Sequence, residues 1–147
     1  MRFLGWDLSD PFARRPRAVD VAVVDLHGRV DFEQREWPAP DGEGRLDPEA
    51  LVAAFPVGPA DVVVVDGPQA LARPGERVRE AERLEAEGLR FPGAGLPTHD
   101  ELDAALCAWL GWLTRTAPER VHAVGLPLWR DAEGWLREGR ILDIRRT

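Results

Sequence analysis

The sequence predicts an α/β fold in which a mixed sheet, antiparallel at its start, is flanked by helices. Three observations carry this reading. A short apolar run opens the chain and stops at Asp7; two β-rich stretches flank His27-Gly28; and four consecutive valines, Val62 to Val65, follow a helix-forming segment. A strand, a hairpin, a helical crossover and a further strand together place that last strand parallel to an earlier one.

The elements follow in order. Arg2 to Leu8 reads as a buried strand that ends in Asp7-Leu8-Ser9-Asp10-Pro11, where polar residues and proline stop it and leave Asp7 at its C-terminal end. Ala18 to Leu26 and Arg29 to Trp37 read as hairpin strands joined by a two-residue His27-Gly28 turn, since glycine accepts positive φ. Val30 and Phe32 alternate with Asp31 and Glu33, the pattern of a half-exposed strand. Asp47-Pro48-Glu49 supplies a capping acid, a proline at the first helical position and an acidic first turn, so a short helix starts there and Pro56 ends it.

Val62 to Val65 reads as a strand covered on both faces, ending at Asp66-Gly67-Pro68. Glu76 to Glu87 is a charged helix with Val78, Ala81 and Leu84 as its apolar stripe, stopped by Gly88. Leu89 to Pro97 reads as a loop. Thr98 and Glu101 form a capping box, and Leu102, Leu106, Trp109 and Leu113 make the stripe of an amphipathic helix behind it. Val121 to Gly125 and Arg140 to Arg145 are terminal strands that pair with each other. The expected organisation is one domain over 1–147, without repeats.

Composition narrows the function classes. The chain has 147 residues, 44% hydrophobic and 31% charged, a globular balance. With a mean hydropathy of -0.30 and no long apolar run, a membrane-spanning segment is not expected. Asp7 interrupts what would be the apolar part of an export signal and one cysteine cannot form an internal disulfide, so the expected setting is cytoplasmic. A formal charge of -7 makes non-specific attraction to a polyanion weak, so a nucleic-acid partner requires a local basic patch. All 19 basic residues are arginine, which excludes a Walker-type phosphate loop and Schiff-base chemistry.

The carboxylates carry the chemical signal. Two strands end in an aspartate, and if they are parallel neighbours Asp7 and Asp66 meet at one sheet edge, where open α/β sheets place ligands. Asp100 and Asp103 are three apart on the late helix and share a face. Carboxylates gathered in this way repel one another unless a divalent cation neutralises them, and hard oxygen donors suit Mg²⁺ or Mn²⁺. Carboxylate-held ions are a recurrent device for in-line phosphodiester cleavage. The plainer reading stands beside this one: aspartate after a strand is a common turn former, and Asp100 near a helix N-terminus complements the macrodipole without any metal.

These residues resemble a known superfamily. Phe3-Leu4-Gly5-Trp6-Asp7-Leu8-Ser9 followed by a hairpin, then Val63-Val64-Val65-Asp66-Gly67-Pro68, then His99-Asp100-Glu101-Leu102-Asp103-Ala104-Ala105-Leu106-Cys107-Ala108, is similar to the ribonuclease H-like superfamily. More narrowly, the chain resembles the domain-of-unknown-function family numbered 429, a set of predicted nucleases. The late helix also resembles the metal-binding helix of Holliday-junction resolvases. The resemblance implies a ribonuclease H-like fold and two Mg²⁺ held by acids at the ends of the first and fourth strands and on a late helix. It carries metal binding over to Asp7, Asp66 and Asp103, with Asp100 as a further catalytic acid. Two features depart from the pattern: the segment between Asp66 and the late helix is short for the strand and helix that fuller members place there, and Trp6 is bulky beside the site.

Arg14, Arg15 and Arg17 form the one basic cluster of the first half, placed either to clamp a phosphate or to offset an acidic surface. His99 neighbours Asp100, as a base, a ligand or a surface cap. His27 and His122 have no partner evident in the sequence, and Cys107 reads as a small buried residue. Trp129 and Trp135 in the polar tail either stack a base or form a homodimer contact, with the contact preferred. The leading expectation is a metal-dependent nuclease or phosphodiester hydrolase acting on nucleic acid. The alternative is a non-catalytic ribonuclease H-like interaction module.

Overall fold

A computed structural model describes residues 1–66, 75–93, 95–124, 129–130, 132, 136–137 and 141–144. It is built on a four-stranded mixed sheet in the order β3-β2-β1-β4, formed by β1 (Phe3–Asp7), β2 (Val19–Val24), β3 (Val30–Arg35) and β4 (Val62–Asp66). The first three strands are an antiparallel meander, and β4 runs parallel to β1 with Phe3 opposite Val62 and Asp7 opposite Asp66. The central strand is therefore β1, and its C-terminal end has an aspartate on the strand to either side.

The hairpin between β2 and β3 differs from the two-residue turn expected. Asp25 N–H donates to the Arg29 carbonyl and Gly28 N–H donates to the Asp25 carbonyl, so the loop has three residues with Gly28 at φ 77°. The cause is Asp25, whose Oδ1 accepts from the backbone N–H groups of His27 and Arg29 and so organises the turn from within. His27 sits in this turn, exposed.

Among the described residues three α-helices accompany the sheet: α1 (Pro48–Ala54), α2 (Glu76–Ala86) and α3 (His99–Thr116). Each begins or ends where local chemistry says it should. Asp47 caps α1 by accepting from Glu49 and Ala50 N–H. After α2, Leu89 N–H reaches the Leu84 carbonyl and Gly88 N–H the Glu85 carbonyl, with Gly88 at φ 104° and both leucines buried, which is a Schellman stop. At the start of α3, Glu101 Oε2 accepts from Thr98 N–H at 2.6 Å while Thr98 Oγ1 accepts from Glu101 N–H at 3.2 Å.

One face of the sheet lies against α3 at unusually short range. A Cβ on Gly5 would stand 1.9 Å from the Ala104 carbonyl oxygen and 2.4 Å from Ala108 N, so only glycine fits there. Further along, a Cβ on Gly111 would meet Val62, Val64 and Phe3 at 3.3 to 3.8 Å. Small residues on both surfaces thus let the helix backbone approach the central strand. Trp109 of the apolar stripe and Cys107 beside it are both buried.

The opposite face carries α1. Val19, Val21 and Phe55 form its buried centre, with Trp6, Leu8, Trp37 and Leu51 packed around them. Trp6 lies 5.3 Å from Phe55, centroid to centroid, so its bulk is spent on this face and does not crowd the end of β1 on the other. The valine run of β4 is less covered than the sequence pattern suggests: Val62 to Val64 are half-buried and Val65 is exposed, because β4 is an edge strand of this four-stranded sheet.

The chain divides into two compact units, Met1–Trp112 and Leu113–Thr147. Among its described residues the second holds the end of α3, a 3₁₀ turn at Pro118–Arg120 and two antiparallel ladders. One joins β5 (Val121–Val124) to β8 (Ile141–Ile144), the terminal pairing expected, with His122 exposed and opposite Asp143. The other joins β6 (Trp129–Arg130) to β7 (Leu136–Arg137). Trp135, Gly67 and Pro68 lie outside the described residues, as do the side chains of Asp66 and Trp129.

Candidate functional site

Two registers bring the carboxylates together. In the sheet, Asp7 is the cross-strand partner of Asp20, and cross-strand partners share a face. Along the helix, α3 runs back over β1, with Gly111 near Phe3 and Ala104 against Gly5. Four residues back from Ala104 is a step of about 6 Å at the helical rise. Two residues on from Gly5 is a step of about 6.6 Å along the strand. Asp100 therefore arrives over Asp7. One carboxylate oxygen from each of Asp7, Asp20 and Asp100 lies within 4.8 Å of the other two.

Asp7 and Asp20 are buried, at 4% and 7% exposure, whereas Asp100 is half-buried. Burial pushes the Asp7 carboxyl up to about 6, and the negative charges of Asp100 and Asp103 push the same way. Arg17 opposes them and Asp20 adds a smaller upward push. The site is thus a desolvated concentration of negative charge.

Arg17 is the counter-charge. Its guanidinium stands 2.5 Å from Asp100 Oδ2 and 3.6 Å from Asp7 Oδ2. Its backbone is tied in place as well: Ser9 Oγ donates to the Arg17 carbonyl at 2.5 Å and accepts from Trp37 Nε1 at 2.8 Å. Arg14 and Arg15 lie exposed in the same loop, and among the described ion pairs Arg17 alone of the three reaches an acid.

The other sequence candidates take graded positions. The Asp66 backbone stands beside Asp7 in the parallel register. Asp103 is one helical turn further along α3, close enough to raise Asp7 but with His99 Nε2 3.5 Å from its Oδ2. Asp20 is the residue that sequence reasoning missed. Its signal was an acid inside the apolar run Val19-Asp20-Val21-Ala22-Val23-Val24, a buried-strand context in which a carboxylate needs a reason. Gln34 Nε2, one strand over, donates to it at 3.1 Å.

The donor set is all carboxylate oxygen. Oxygens bound to Mg²⁺ at about 2.1 Å stand roughly 3 to 4 Å apart, so the three acids, within 4.8 Å of one another, could hold one such ion after small side-chain rotations. No family model, curated protein or solved structure matches this chain.

Proposed function

We propose that this chain is a divalent-metal-dependent phosphodiester hydrolase, a nuclease of ribonuclease H-like architecture acting on nucleic acid. Asp7, Asp20 and Asp100 would hold the Mg²⁺ or Mn²⁺, with Asp66 and Asp103 at its margin. The observation that carries the reading is the convergence of three carboxylate oxygens within 4.8 Å, two of the acids buried, against one arginine among the described residues. Folding such a cluster is costly unless a cation repays it, and hard oxygen donors select a hard ion. Bound there, the ion would supply Lewis acidity toward a phosphodiester oxygen and a water of lowered pKa.

The remaining contributions come from the chain. Burial of Asp7 and Asp20 keeps bulk water from screening their charge. His99, next to Asp100 at the start of α3 and 3.5 Å from Asp103 Oδ2, would be the chain's base for a proton released at that site. Arg17 on the rim offers a planar guanidinium for a phosphate oxygen.

The test is a calorimetric Mn²⁺ titration followed by cleavage assays on single-stranded and branched DNA and RNA. Asp7→Asn is expected to keep the fold and lose both metal binding and divalent-dependent cleavage. Unchanged cleavage in that variant overturns the proposal.

A second reading, the non-catalytic interaction module, is favoured by the open apolar groove of about 330 Å³ on the α1 face, lined by Trp6, Leu8, Trp37, Leu51, Val52 and Val65. Under it the protein takes up no divalent ion, and sedimentation shows self-association that Val52→Glu abolishes. A monomer that binds Mn²⁺ sinks this alternative.

A further inference from the structure

We propose that Arg17 is a built-in counter-cation that occupies the acidic cluster in the metal-free protein and is displaced when a divalent ion enters. The inference rests on the metal-site reading above and concerns how that site is regulated.

The geometry supports it in three steps. First, the guanidinium is placed on the acids that would bind the ion: it contacts Asp100 Oδ2 at 2.5 Å and approaches Asp7 Oδ2 at 3.6 Å. A divalent ion at those same oxygens would draw on the same lone pairs and repel the guanidinium at close range, so the two cations exclude each other. Second, the placement is built. Arg17 ends an exposed loop, yet its carbonyl is held by Ser9 Oγ, which is itself held by Trp37 Nε1 from the α1 side of the sheet. Asp10 also orders the loop by accepting from Phe12 N–H at 2.8 Å. Third, this anchoring is at the backbone, while the Arg17 side chain is 57% exposed. Displacement therefore needs rotation of the side chain alone. The freed guanidinium stays tethered at the rim, within reach of an anionic group presented to the ion.

Such a device has a functional consequence. It neutralises part of the cluster when no metal is bound, and it couples metal entry to the release of an anion-binding group. Arg14 and Arg15, in the same loop but exposed, supply the control, since they add equal charge without the contact.

The experiment is a calorimetric Mn²⁺ titration of the wild type and of Arg17→Ala, Arg17→Lys, Arg14→Ala and Arg15→Ala. It is paired with NMR observation of the Arg17 Nε–H resonance, assigned by its loss in Arg17→Ala, during a Mg²⁺ titration. Removing a competing ion pair of this exposure is expected to tighten Mn²⁺ binding about fivefold in Arg17→Ala. Arg17→Lys, Arg14→Ala and Arg15→Ala should stay within about twofold of the wild type, and the Nε–H resonance should shift as Mg²⁺ saturates the site. If wild type and Arg17→Ala bind Mn²⁺ equally, or if Arg14→Ala tightens binding as much as Arg17→Ala, the Arg17 inference is overturned while the metal site stands. If no variant binds Mn²⁺, the metal reading and this inference fall together.

Discussion

Replacing Asp7 with asparagine should make the metal-free protein more stable while destroying its proposed function, and the size of the gain follows from the site. Burial and the charges of Asp100 and Asp103 hold the Asp7 carboxyl at about 6 in place of 3.8. Below pH 3.8 the carboxyl is protonated in both folded and unfolded chains and carries no penalty. Between 3.8 and about 6 the unfolded chain has released its proton while the folded one still holds it, so stability falls as pH rises; above about 6 the loss is complete. A shift of this size corresponds to about 3 kcal/mol. Asparagine has nearly the same shape and no charge to bury, so the variant should match the wild type near pH 3.5 and exceed it by about 3 kcal/mol at pH 7.5. In urea, with a slope of about 2 kcal/mol/M, that is a midpoint higher by roughly 1.5 M. Both proteins would be unfolded at several pH values in chelator and again with Mn²⁺. The ion should return about 2.7 kcal/mol to the wild type at a hundred times its Kd and nothing to the variant. A midpoint difference that does not change with pH, or an asparagine variant less stable at pH 7.5, would refute the reasoning.

Other variants test the scaffold that positions the site. Asp20→Asn should weaken Mn²⁺ binding at least tenfold by calorimetry, since it removes one of the three carboxylates proposed to hold the ion; unchanged affinity would remove Asp20 from the proposed metal site. Gly5→Ala should cost about 3 kcal/mol or more, read as thermal midpoint, because its Cβ meets the α3 backbone at 1.9 Å; a cost under 1 kcal/mol would mean that α3 does not cross β1 there. Asp61 accepts from Gly58 N–H, from Arg2 N–H and from the Arg2 guanidinium, which holds its carboxyl down at about 2. This contribution is present above pH 3.8 and lost as pH falls through about 2. With Arg2 48% exposed and so screened, Asp61→Asn should cost about 1 kcal/mol at neutral pH, and a cost that persists at pH 2 would contradict the pairing. Thr98→Ala should cost about 1 kcal/mol in chemical unfolding by removing one half of the capping box, and no loss would place the start of α3 elsewhere.

Much of the fold was legible because it is written in local chemistry. Asp47-Pro48, Thr98 with Glu101, and Gly88 mark helix ends through hydrogen bonds within a few residues of themselves, and each is where the sequence puts it. The meander and the parallel β4 were likewise readable from the alternation, the valine run and the helical segment between them. The hairpin turn was misjudged by one residue because the organising group is not the glycine but Asp25, whose side chain selects the loop length.

The site divides along the same line. That Asp7 and Asp66 each end a strand, and that Asp100 and Asp103 share a helix face, follow from spacing alone; that the two strands are neighbours is a matter of their pairing. Which of the acids meet was decided by packing across the chain. Gly5 lets α3 settle onto β1 at a depth that sets Asp100 above Asp7, and the antiparallel register, not any motif, seats Asp20 opposite Asp7. Arg17 joins them from a loop anchored through Ser9 by Trp37, which lies 20 residues further along the chain. The sequence by itself determined the elements and the supply of carboxylates, because those depend on neighbours within a turn. Only the tertiary structure decided the constellation, because the register between strands and the closeness of a helix to a sheet are settled by contacts among residues far apart in the chain.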